Sequence, residues 1–163
     1  MKVAVFIGSE SDFGIIEDAL ALLREFEVPF VFEVTSAHRS PERTVHLVTT
    51  LEKSGVKLFI AVAGKAAHLA GVVAAHTALP VIAVPVASAA LNGLDALLSS
   101  VQMPKGVPVA CMGLGKSGAI NAALLAVQIL SLDNPSLADK LRAYKAKMAA
   151  MVEMSSQKVK DKL

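Results

Sequence analysis

The sequence predicts an α/β class: a three-layer, flavodoxin-like domain with a five-stranded parallel sheet in the order 2-1-3-4-5, helices on both faces and a C-terminal helix. Two observations carry the parallel sheet with helices on both faces; the order 2-1-3-4-5 is a choice made within that class. Short apolar runs alternate with longer segments of helical apolar spacing, joined by short turns, along all 163 residues. The short runs are apolar throughout rather than at every second position, as strands covered on both faces must be. Parallel neighbours need a crossover between them, and a helix supplies it.

Val3–Ile7 reads as the first strand. The first helix lies near Asp12–Phe26, with Ile15, Ile16, Ala19, Leu20, Leu22 and Leu23 at helical spacing. Phe30–Val34 is the second strand and Pro41–Lys53 the second helix, opened by Ser40 as N-cap and Pro41 at its first position. Lys57–Val62 is the third strand, and Ala66–His76 the third helix. Val81–Val84 is the fourth strand, with a helix from about Leu91 to Val101 behind it. Val107–Met112 is the fifth strand, followed by a long helix from about Ser117 to Leu130. Asn134-Pro135 ends that run, and a last helix extends toward Lys158. Its Leu137, Leu141, Tyr144, Met148 and Met151 form one apolar stripe, suited to packing on its own domain or to serving as an oligomer arm over 134–160. No repeat, linker or low-complexity tract divides the chain, so 1–163 is read as a single domain.

Composition narrows the function classes. Hydrophobic residues make up 54% of the chain and charged residues 18%, with one Tyr and no Trp. So much apolar surface is hard to hide in one small domain, and an oligomer is expected. The most apolar region, Leu69–Leu91, contains His76, Thr77, Pro80, Pro85 and Ser88; Pro80 splits it into a short helix and a short strand rather than a membrane span. Met1-Lys2 runs directly into a strand pattern, which does not read as a signal peptide. A single Cys excludes an internal disulfide framework and fits a reducing, cytoplasmic compartment. A net charge of +2 gives no argument for nucleic acid, and the C-terminal lysines read as a solvated helix face.

In a sheet of order 2-1-3-4-5 ligands bind at the carboxyl ends of the strands, beside the switch point between strands 1 and 3. Three loops converge there: "GSESDFG" (Gly8–Gly14), "SAHR" (Ser36–Arg39) and "AGKAAHLAG" (Ala63–Gly71). Each runs into a helix N-terminus, where free N–H groups favour anions. Ser9, Ser11 and Ser36 add hydroxyl donors and Arg39 a bidentate cation, together a phosphate cradle. Asp12 repels a phosphate but suits ribose hydroxyls. Taken alone, Ser11 or Asp12 reads equally as a cap of the first helix. His38, beside Arg39, is a side chain that moves protons at neutral pH. His46 and His76 read as structural or surface residues, and His68 lies in the third loop.

Two motifs mislead. "GLGKSG" (Gly113–Gly118) matches G-x-G-x-x-G, but no strand follows it and Asp133, at about the right spacing, sits in a turn. It fails as a P-loop because Ala110 stands where the first Gly is required. Its glycines are expected to serve a tight turn and close helix packing. Cys111 reads as a buried small residue, and no Cys/His cluster has metal-ligand spacing.

"GSESD", "SAHRSP", "AGKAAHLAG", "LNGLDALLSSVQMPKGVPVA" and "GAINAALLAVQIL", in this order, resemble the PurE family, the N5-carboxyaminoimidazole ribonucleotide mutases of bacterial purine synthesis. The resemblance runs from about Val3 to Leu132. It implies a nucleotide-binding catalytic domain assembled as a homo-octamer, working without metal or organic cofactor on a small ribonucleotide. The reaction implied moves a carboxylate from the exocyclic amine of that ribonucleotide to the neighbouring ring carbon. By position, Ser9, Asp12 and Arg39 match the family's nucleotide-binding residues, Ser36 lies in the same motif, and His38 matches the general acid/base. Ser11, Gly64, Lys65 and His68 join the candidate binding set, and Ala63, Ala66, Ala67 and Leu69 are expected to line a dry pocket that retains carbon dioxide.

The third loop departs from the family's usual Gly-Gly-Ala-Ala-His-Leu-Pro-Gly: Lys65 replaces a glycine and Ala70 a proline. A direct-carboxylating branch carries Gly-Arg in that place, so direct carboxylation of aminoimidazole ribonucleotide is the alternative activity. The kept Ala66-Ala67-His68-Leu69 favours the mutase. A phosphorelay receiver would need an acidic pair after strand 1 and an Asp ending strand 3; Gly8-Ser9 and Ala63-Gly64 stand there. A flavodoxin would stack its flavin on aromatics, and Tyr144, the one Tyr, lies in the last helix. A non-catalytic nucleotide-binding module is the remaining alternative.

Overall fold

The computed structural model describes residues 2–88 and 90–163. Five strands, β1 (Lys2–Ile7), β2 (Phe30–Val34), β3 (Val56–Gly64), β4 (Val81–Val86) and β5 (Ala110–Cys111), pair in parallel in the order β2-β1-β3-β4-β5. Helices α1 (Phe13–Glu25), α2 (Pro41–Lys53), α3 (Leu69–Ala75), α4 (Leu94–Val101) and α5 (Gly115–Ser131) each follow a strand, and α6 (Pro135–Lys160) follows α5. The expected class and strand order are those observed.

The register decides where the loops emerge. Ile7 lies opposite Val34 on one side and Val62 on the other, and Gly64 lies opposite Val86. The ends of β1 to β4 therefore share one edge of the sheet. β1, β3 and β4 are buried along nearly their whole lengths, which the unbroken apolar runs require. Phe6 meets Phe59 edge-on at 5.6 Å between ring centroids, within a core cluster that includes Leu69, Ala70 and Val73 of α3.

Among the shifted boundaries, β3 runs on to Gly64 and β4 to Val86, and the starts of β5, α3 and α4 move furthest. β5 shrinks from Val107–Met112 to Ala110–Cys111, because Pro108 has no N–H for a ladder and β4 pairs with β5 only through Ile82 and Ala83. Pro85 is tolerated in β4 for the same reason: beyond Ala83 that strand has no β5 neighbour waiting for its donor. α3 begins at Leu69 rather than Ala66, which leaves Lys65, Ala66, Ala67 and His68 in the loop. α4 begins at Leu94 rather than Leu91, since Asn92 and Gly93 take left-handed backbone at φ 50° and 87°.

The chain forms two compact units, Met1–Ala126 and Val127–Leu163. The first holds the sheet. A Cβ on Gly118 would lie 1.6 Å from the Gly113 carbonyl oxygen, so of the "GLGKSG" glycines Gly118 serves close packing, while Gly115 takes left-handed backbone at φ 70° and a Cβ on Gly113 would meet open space. In the second unit Asn134 caps α6 by accepting the Leu137 N–H at 3.2 Å, with Pro135 at the first position. The apolar stripe of α6 divides: Leu137 and Leu141 are buried, whereas Met148 and Met151 are exposed. Among the described residues no helix is long and apolar enough to cross a membrane; the Leu69–Leu91 region is split between α3 and β4.

Candidate active site

At the shared edge of the strands lies an open cleft of about 630 Å³. Ser9, Ser11, Asp12, Ser36, His38, Arg39, Ala63, Gly64, Lys65, Ala66 and Leu69 line it, so the structure gathers these sequence-derived candidates in one place. Val86, the last residue of β4, with Ala87 and Ser88 after it, forms a further wall that the sequence did not suggest. Its available signal was Ser88 directly after a strand end.

The second loop is held from several directions. The Thr35 N–H donates to the Ile7 carbonyl at 2.9 Å, carrying the ladder one residue past β2. The hydroxyls of Thr35 and Thr44, both buried, lie 2.8 Å apart and join the loop to α2. Arg43 ties α2 back to β2 through the Val34 carbonyl and the Glu33 carboxylate, each at 2.9 Å. Ser40 occupies the N-cap position of α2, but its hydroxyl makes no capping bond. It accepts the Ser36 N–H at 3.1 Å and donates to the Ser36 carbonyl at 3.2 Å, closing the turn that presents His38 and Arg39. The Arg39 N–H donates to the Ser36 hydroxyl at 3.2 Å, and Arg39 Nη2 donates to the Gly8 carbonyl at 3.1 Å, linking the first and second loops.

The first loop passes through a single 3-10 turn, Glu10–Asp12, before α1. Neither Ser11 nor Asp12 caps α1. The Ser11 hydroxyl donates to Ser9 Oγ at 3.0 Å and approaches Asp12 Oδ1 at 3.4 Å, and Asp12 makes no side-chain cap bond. Burial pushes the Asp12 carboxyl above the ordinary carboxylate range, against smaller lowering effects from Ser11, Ser9 and the nearby Arg39 charge. Its polar groups are turned toward the cleft rather than spent on the helix.

The third loop supplies two corrections. Ala67, expected on the pocket wall, is buried. Its N–H donates to Ser99 Oγ at 2.9 Å and its carbonyl accepts from Ser100 Oγ at 3.4 Å, so the backbone at 67 is pinned to α4. His68 is not on the cleft wall either. Its Nδ1 lies 2.8 Å from His38 Nε2, with the rings edge-to-face at 4.9 Å. His68 is therefore the exposed partner of His38, thirty positions away in sequence, a pairing that no local pattern signals. Gly64 lets the loop leave β3 close to β4, since a Cβ there would press on the Val86 carbonyl oxygen at 3.2 Å. Cys111 is only partly buried, and desolvation raises its thiol, the opposite of nucleophile activation.

The sequence profile of the AIR carboxylase family matches residues 2–151. The chain is 51% identical over 159 residues to the N5-carboxyaminoimidazole ribonucleotide mutase of Methanocaldococcus jannaschii, covering 98% of each. It is 52% identical over 139 residues to the mutase of Bacillus subtilis, covering 85% of this chain and 86% of that one. The crystal structure of Treponema denticola PurE superposes with a TM-score of 0.87 at 31% identity, covering 96% of each chain. With its sheet order, its convergent loops and a family match across almost the whole sequence, the chain belongs to the AIR carboxylase, or PurE, family.

Proposed function

We propose that this protein converts N5-carboxyaminoimidazole ribonucleotide to 4-carboxy-5-aminoimidazole ribonucleotide in purine biosynthesis, an isomerisation that proceeds through released and recaptured carbon dioxide. The observation that carries the mechanism is the hydrogen bond between His38 Nε2 and His68 Nδ1 at the mouth of a cleft that also holds Arg39. A neutral imidazole donates from one nitrogen and accepts at the other. Whichever role Nε2 of His38 takes toward His68, its Nδ1 takes the opposite one, so His68 sets the tautomer of His38.

Protonation of the carbamate nitrogen by the His38 imidazolium, whose Nε2–H stays on His68 Nδ1, breaks the N–C bond, frees carbon dioxide and leaves His38 as a neutral imidazole with Nδ1 open to take a proton back. The electron-rich ring carbon then attacks it, forming the C–C bond. The ring carbon still carries its hydrogen, and His38, now neutral, removes that proton and restores the aromatic ring. One proton is lent and returned, so neither metal nor redox partner enters the balance. Arg39 and the Ser9, Ser11 and Ser36 hydroxyls suit the phosphate, and Asp12 suits the ribose hydroxyls. Ala63, Ala66 and Leu69 offer the apolar wall against which carbon dioxide is retained.

The active species is proposed to be a cytoplasmic homo-octamer. Support comes from large apolar side chains left exposed in the single chain, Leu91, Leu94, Leu98 and Val101 among them.

One observation favours the direct carboxylase as a second reading: Lys65, a cation on the cleft wall. The deciding assay supplies purified protein first with the carbamate nucleotide at low bicarbonate, then with the uncarboxylated nucleotide plus bicarbonate. Turnover of the first is expected. Efficient use of the second alone would replace the mutase with the carboxylase.

A further inference from the structure

Lys65 stands in a conformation that a lysine adopts at a cost. Its φ is 57°, in the left-handed region where a Cβ crowds the backbone and glycine is at ease. Two other described non-glycine residues share that sign of φ, Glu27 and Asn92, and neither lines the cleft. Strain of this kind collects at functional sites, where the side chain does something a glycine could not. Lys65 follows Gly64, the last residue of β3, and precedes by three positions the His68 that holds His38. Among the described residues no hydrogen bond or ion pair engages its ammonium.

The cleft has two permanent cations on opposite loops, Arg39 and Lys65, and one carboxylate, Asp12. Arg39 is tethered to the Gly8 carbonyl, on the side of the first-loop serines. Lys65 belongs to the loop of the paired histidine. The proposed substrate and product each carry two anionic groups, a phosphate and a carboxylate, and the carboxylate must lie at the acid/base. We propose that Lys65 is the carboxylate-binding residue of the cleft: its ammonium holds the carboxylate of the carbamate before transfer and of the ring after it, while Arg39 holds the phosphate. The assignment rests on the mutase reading above. It explains why a charged side chain occupies a position whose backbone suits glycine.

The test uses the intact protein and Lys65→Gly, Lys65→Gln and Lys65→Arg variants. Calorimetry compares two nucleotides that differ by one group, 4-carboxy-5-aminoimidazole ribonucleotide and 5-aminoimidazole ribonucleotide. Lys65→Gly and Lys65→Gln are expected to weaken binding of the carboxylated nucleotide about tenfold or more, the loss of a charge-assisted contact. Both should bind the uncarboxylated nucleotide within about twofold of wild type, and Lys65→Arg should keep most of the carboxylate preference. Lys65→Gly should also melt at a higher temperature than wild type, which separates lost recognition from damaged folding. Equal losses for the two nucleotides, or none for either, would overturn the assignment while leaving the mutase reading intact. Wild-type protein that binds neither nucleotide would overturn both.

Discussion

His38 and His68 divide one task between two residues. His38 lines the cleft and His68, outside its lining, holds the His38 ring at 2.8 Å. Replacing His38 with Asn keeps a polar side chain of similar size but removes the group that lends and recovers the proton. Turnover of the carbamate nucleotide should fall by about 10²–10⁴-fold or more, with nucleotide affinity nearly unchanged. Near-normal turnover in that variant would remove His38 from the mechanism. Asp12 shows the opposite balance between stability and function. Burial disfavours its ionised form in the folded chain, whereas the unfolded chain ionises in the ordinary range. At neutral pH the folded state therefore bears an ionisation penalty that disappears in acid, where both states hold the proton. Asp12→Asn should raise the melting temperature at pH 7, the gain fading below about pH 4, and should weaken nucleotide binding. A lower melting temperature for Asp12→Asn at pH 7 would mean that the carboxylate stabilises the fold instead.

At the scale of elements, backbone groups without freedom to move decide where the loops go. Pro108 shortens β5 to Ala110–Cys111, and Asn92 and Gly93 delay α4 to Leu94. Gly118 is the tightest case, because the first turn of α5 lies directly against the Gly113 carbonyl. Gly→Ala within a helix ordinarily stabilises, since alanine is the better helix former. At 118 the sign should reverse, because the contact is with backbone and cannot be relieved by a rotamer change. Gly118→Ala is expected to destabilise by about 1–3 kcal/mol or more in urea titration, the range of overpacked sites. A stabilised variant would show that the Gly113 turn yields readily.

For the molecule as a whole, the unmet demand is cover for apolar side chains. Leu94, Leu98 and Val101 recur along one face of α4 and are 53%, 46% and 49% exposed. Met148, Met151 and Met154 of α6 are also exposed. An octameric assembly would bury such residues against other copies of the chain. Leu98→Asp and Met151→Asp each place a charge on a side chain about half exposed in the single chain. Each should fold with little change in melting temperature yet sediment as smaller species. Unchanged sedimentation in both variants would mean that neither face lies in the assembly.

The amino-acid sequence by itself determined the parallel α/β class and the polar loops that follow its strands. Both follow from local rules: unbroken apolar runs imply covered parallel strands, and short polar turns imply helix starts at their carboxyl ends, whereas the order β2-β1-β3-β4-β5 was one choice among doubly wound orders until the strands were seen paired. The ends of β2 and α2 were legible to the residue because Ser40-Pro41 and the apolar runs mark them sharply. The tertiary structure alone decided how the site is wired. Ala67 left the cleft for α4 because its backbone found Ser99 and Ser100, which are more than thirty positions away. His68 became the partner of His38 because β3 lies two strands from β2, a distance that only sheet pairing reveals. The left-handed backbone of Lys65 was likewise invisible in a string of letters: dihedral strain is set by where β3 ends against β4, not by the residue that bears it.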